Sequence, residues 1–62
     1  MNTHALSLSD LETVYDRLAT AIDQAGPAHT ELLLVKLALL NAQALGDAQL
    51  FEQHLHTALQ DL

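Results

Sequence analysis

The side chains best able to do chemistry in this chain are four histidines, eight carboxylates and a few hydroxyls. Histidine and carboxylate bind a divalent metal when they converge, and Glu52 with His56, one helical turn apart, is the best pair the spacing offers. His54 and His56 are two residues apart, so on a helix they point to nearly opposite sides and do not share an ion. His4 or His29 could join them only through assembly. The expectation is surface or interface histidine and no metal site.

Nucleophilic catalysis fares no better. Ser7, Ser9 and several threonines are present, but there is no Gly-x-Ser-x-Gly elbow and no cysteine. Ser9, followed three residues later by Glu12, reads as a helix cap. The two glycines stand alone, so no glycine-rich phosphate loop exists. Asp10 and Glu12, like Glu31 and Asp47, fall where a carboxylate complements a helix N-terminus. The sequence therefore predicts no catalytic residue, no cofactor and no enzyme activity of its own.

The elements that carry these residues are set by two pieces of punctuation. Gly26-Pro27 pairs a helix C-cap with a residue suited to a following helix start, and Gly46-Asp47 places a glycine stop beside an acidic N-cap. Helices are expected over residues 9–25, 28–45 and 48–61 of a single domain, 1–62. The first start is set by Ser9, with Ser7 as a rival cap that would place Leu6 and Leu11 as a hydrophobic staple.

Leu11, Val14, Tyr15, Leu18, Ile22 and Ala25 make one stripe on the first helix. Phe51, Leu55, Ala58, Leu59 and Leu62 make one on the third. The middle helix differs. At about 100° per residue, Leu33, Leu37, Leu40 and Ala44 form one apolar arc. Leu34, Val35, Ala38, Ala42 and Leu45 form a second, and Leu32 with Leu39 a third. Only Lys36, Gln43 and His29 make a clear polar stripe, and Asn41 falls between Leu34 and Leu37. A helix apolar nearly all round is covered on more than one side, and two amphipathic neighbours of this length cover only part of it.

Composition explains why that matters. A chain of 62 residues without cysteine can call on neither disulfides nor thiolate metal sites to support a small core. Association is the remaining remedy. The formal charge of -6 repels phosphate backbones and anionic lipid, which argues against nucleic acid. Residues 32–45 are too few to span a bilayer and are interrupted by Lys36 and Asn41, so no membrane partner is expected. Met1 to Ser9 has neither a basic nor an apolar signal segment, and the expected location is cytoplasmic. Neither Arg17 nor Lys36 has an acidic residue three or four positions away, which leaves both free to pair across helices or chains.

Leu8-Ser9-Asp10-Leu11 superficially resembles the phosphopantetheine attachment motif of acyl carrier proteins, but that family carries Asp-Ser-Leu after a substantial leading helix. Gly46-Asp47 with Phe51, Leu55, Ala58 and Leu59 resembles the second helix of a tetratricopeptide repeat, over half a repeat only. A longer pattern runs through Leu8-Ser9-Asp10-Leu11-Glu12, Val14-Tyr15-Asp16-Arg17-Leu18, Ala25-Gly26-Pro27, Lys36-Leu37-Ala38-Leu39-Leu40 and Leu45-Gly46-Asp47. It resembles a family of short acidic all-helical bacterial proteins described as a domain of unknown function. That resemblance implies a bacterial cytoplasmic setting and a full-length domain, with no assigned activity or site residues. Such small proteins can accompany metabolic enzymes, including flavin-dependent hydroxylases.

Together these readings predict an all-α fold, a three-helix bundle or a helical hairpin plus one helix, assembled as a homodimer. The expected role is that of an interaction or accessory protein that also binds another protein. Leu32, Leu33, Leu39 and Leu40 are the expected interface, because they flank the polar stripe of the middle helix. Two alternatives belong to other classes: a small-ligand carrier with an apolar cavity between helices, and an acidic, antitoxin-like antagonist of a basic partner.

Overall fold

A computed structural model describes residues 5–62, and these form three α-helices: α1 (Leu8–Ala25), α2 (Thr30–Leu45) and α3 (Ala48–Ala58). No strand occurs among the described residues.

Ser7, the rival cap, begins α1 in place of Ser9. Its backbone is extended and its Oγ accepts the Asp10 N–H at 3.0 Å, satisfying one of the donors that a helix start leaves open. Leu6 and Leu11 then fall at the staple positions, and Asp10 lies in the first turn, where its charge complements the helix dipole.

Between α1 and α2 lies a four-residue elbow rather than a direct restart at Ala28. Gly26 has φ 79° and donates its N–H to the Ile22 carbonyl. Its own carbonyl accepts both the His29 N–H and the Thr30 hydroxyl, each at 3.0 Å. Residues 27–29 are thereby held in a turn, and α2 starts two residues later than the proline alone indicates. The second elbow is shorter. Gly46 sits in the left-handed region with its N–H on the Ala42 carbonyl, and the Asp47 carboxylate accepts the Leu50 N–H at 3.0 Å.

The last helix ends at Ala58, short of the expected residue 61. The Leu59 N–H is shared between the Leu55 and His56 carbonyls, and the Gln60 N–H bonds to Thr57. The final turn tightens in this way before Asp61 adopts a φ of 59°.

Packing is confined to the elbows. Consecutive helices touch there, α1 and α3 do not touch, and no described residues twelve or more apart in sequence come within 8 Å between Cα atoms. A closed bundle needs α1 against α3, so one chain alone does not form it. No described residue is buried. The best covered are Leu18, Ile22 and Ala25 with Leu33 and Leu37 near the first elbow, and Ala38, Ala42, Leu50 and Phe51 near the second, all half-buried. Two of the three arcs of α2 thus each meet one neighbour, over a short length.

The chain exposes 5629 Å², whereas a compact monomer of 6.7 kDa exposes about 3900 Å². Its radius of gyration of 13.1 Å exceeds the value of about 10.6 Å that this length has when compact. About 1700 Å² of surface that a compact fold would cover is open.

Candidate functional site

Part of the open surface of α2 forms a groove near the first elbow. Leu32, Leu33, Leu37 and Leu40 line it with Ala25, His29 and Lys36. Helical periodicity brings these residues together, since positions 33, 37 and 40 share one arc while 32 and 36 border it. Leu32 is 57% exposed and Leu40 67% exposed. Lys36 is the one cation in this groove. Its neighbours three and four positions away on α2 are Leu32, Leu33, Leu39 and Leu40, so no carboxylate of its own helix lies beside it.

Three of the four expected interface leucines, Leu32, Leu33 and Leu40, therefore line one groove, while Leu39 borders a different depression with Ala42, Gln43 and Phe51 near the second elbow. Leu39 is 64% exposed. The four do not make one continuous site; they lie on either side of the Lys36 and Gln43 stripe.

A second surface was not singled out by the sequence. On the N-terminal half of α1, Leu8, Leu11 and Tyr15 form an exposed apolar ridge that shares a shallow depression with Glu12 and Asp16. Tyr15 is 71% exposed and Val14, beside it, is also open. The length of the stripe gave no signal for it: an α2 of 16 residues folded back antiparallel would reach nearly all of α1, and the far end is left open by the angle at the first elbow.

The residues that could do chemistry are kept apart. His29 sits at the first elbow, with Nδ1 3.4 Å from the Ala25 carbonyl oxygen. His54 borders a depression formed by Ala38, Asn41, Leu45 and Phe51. His56 meets the Gln60 amide, at 3.5 Å between Nε2 atoms. Asn41 is exposed and lines the same depression as His54. Among the described residues no three histidine or acidic side chains group as metal ligands; His4 lies outside the described residues. The hydroxyls of Thr13, Thr20, Thr30 and Thr57 each donate to the carbonyl four residues earlier. Ser7 is engaged as a cap. The arrangement offers exposed apolar surface with a few charges beside it.

No helix among the described residues is long and apolar enough to cross a membrane. No family model, curated protein or solved structure matches the chain.

Proposed function

We propose that this chain is a small helical interaction protein that dimerises through α2 and, once assembled, serves another protein as an accessory subunit. The observation that carries the reading is the absence of any buried residue among those described, with Leu32, Leu39 and Leu40 standing open on the central helix. A chain that hides no side chain has little to offset the entropy of ordering its backbone. Its excess surface of about 1700 Å² is about twice the area each partner commonly contributes to a stable interface. A second copy is the one partner present whenever the chain itself is present, and it has the same need.

The accessory role extends this reading, on the resemblance to short proteins that can accompany metabolic enzymes. The site in this reading is cytoplasmic and binds protein, not nucleic acid or membrane.

Sedimentation equilibrium over a wide range of concentration tests the first half of the proposal. A mass of two chains with full helix content is expected. A monomer that melts cooperatively, at a temperature independent of concentration, overturns it.

A further inference from the structure

Resting on the dimer reading, we propose that the two copies are intertwined, with the N-terminal half of α1 from each lying in the α2 groove of the other. Three observations converge on this arrangement. The first is the geometry of the first elbow, where the Gly26 carbonyl accepts the His29 N–H and the Thr30 hydroxyl, the Gly26 N–H bonds to Ile22, and His29 faces the Ala25 carbonyl. These bonds fix the departure of α2 from α1, and no Cα of Leu8, Leu11 or Tyr15 comes within 8 Å of a leucine Cα of its own α2. No described residue of the same chain covers the ridge, which leaves it open to another molecule.

The second observation is complementarity. The ridge is apolar with Glu12 and Asp16 on its flank, and the groove is apolar with Lys36 between Leu32 on one side and Leu33 and Leu40 on the other. Lys36 has leucines at all four neighbouring positions on its own helix, so a carboxylate on the flank of an incoming α1 supplies the counter-charge that α2 lacks. The groove accepts a helix by its apolar face, and one flanking charge fixes the register.

The third is area. A symmetric exchange covers the ridge and the groove on both chains at once, two helix-on-helix contacts for one association. It also continues the stripe that Leu18 and Ile22 begin at the elbow. A contact of α2 against α2 alone leaves both ridges in water and much of the excess surface of about 1700 Å² uncovered.

The single tyrosine makes the test specific, since the Tyr15 ring protons are resolved from every aliphatic signal. In a mixture of isotope-labelled and unlabelled chains, isotope-filtered nuclear Overhauser spectra report only contacts between different molecules. The expected result is intermolecular contact from the Tyr15 ring to leucine methyls of Leu32, Leu33, Leu37 or Leu40. A dimer in which the Tyr15 ring shows no intermolecular contact, while leucine methyls of α2 contact each other across chains, overturns the exchange and leaves the dimer reading in place. A folded monomer overturns both.

Discussion

Leu40→Glu on α2 separates an interface leucine from an ordinary surface one. Leu40 is 67% exposed in the single chain. Burying a leucine side chain completely is worth about 2 kcal/mol, so covering the exposed two-thirds is worth about 1.3 kcal/mol. A twofold dimer covers it twice, for a total of about 2.7 kcal/mol, or about a hundredfold in the dimerisation constant. Glutamate forfeits that gain and brings a carboxylate into an apolar groove, which raises the loss further. If Leu40 were simply a solvated side chain, the same substitution would change stability by no more than about 0.5 kcal/mol. Sedimentation equilibrium gives the dissociation constant, and far-ultraviolet circular dichroism on the same samples shows whether helix is lost with the dimer. The reasoning fails if the variant associates as the parent does.

Replacing Ser7 by Ala removes the acceptor of the Asp10 N–H and is expected to lower unfolding stability by about 1 kcal/mol, while Ser9→Ala stays within about 0.5 kcal/mol; urea titration of both variants at one chain concentration checks the pair. Gly46→Ala is expected to lower the melting temperature by about 5 °C, a cost near 1 kcal/mol. A methyl there meets nothing within 4 Å, so the cost arises from the φ of +71° alone, and an unchanged melting curve would remove glycine's conformational role from the second elbow.

Much of this fold was readable in the residues, because local rules set it. The glycine at 46 needs a left-handed backbone and the aspartate after it caps the next helix, and both signals are adjacent in sequence. The three arcs of α2 follow from periodicity alone, and the half-burial of Leu33 and Leu37 beside one elbow and of Ala38 and Ala42 beside the other follows the first two arcs.

What could not be read depends on choices between near-equal local options or on the angles between helices. Ser7 and Ser9 both satisfy capping rules; the earlier one adds a residue to α1 and places the staple, an advantage small enough to be decided only in three dimensions. The late start of α2 rests on a threonine hydroxyl and a histidine N–H converging on one glycine carbonyl, a contact that has no periodic signature. The same elbow keeps the α1 ridge away from its own α2, so the ridge of Leu8, Leu11 and Tyr15 became visible only with coordinates. The surplus of leucine on α2 was legible in the sequence, yet the division of Leu39 from Leu32, Leu33 and Leu40 depended on where α3 lies.

The charge of the chain sets the last constraint on association. Each copy carries a formal charge of -6, and two copies, each 25 Å across in its shorter dimensions, have centres about 25 Å apart when merely side by side and closer when intertwined, so the side-by-side distance gives the smallest repulsion. Treated as point charges in water, they repel by about 6 kcal/mol before screening. A Debye length of about 30 Å, at about 0.01 M salt, leaves roughly 2.5 kcal/mol of that, and one of about 8 Å, at about 0.15 M, leaves a few tenths. Raising salt between these limits is therefore expected to tighten the dimer by about 2 kcal/mol, or roughly thirtyfold. The single pair that each Lys36 can make runs the other way, but an exposed ion pair contributes less than about 1 kcal/mol and does not reverse the sign. Association with a basic partner would show the opposite dependence, since attraction between unlike charges is what salt screens. Sedimentation at the two salt levels reads the sign directly: tighter self-association in salt supports an apolar contact made against like charge, and weaker self-association contradicts it.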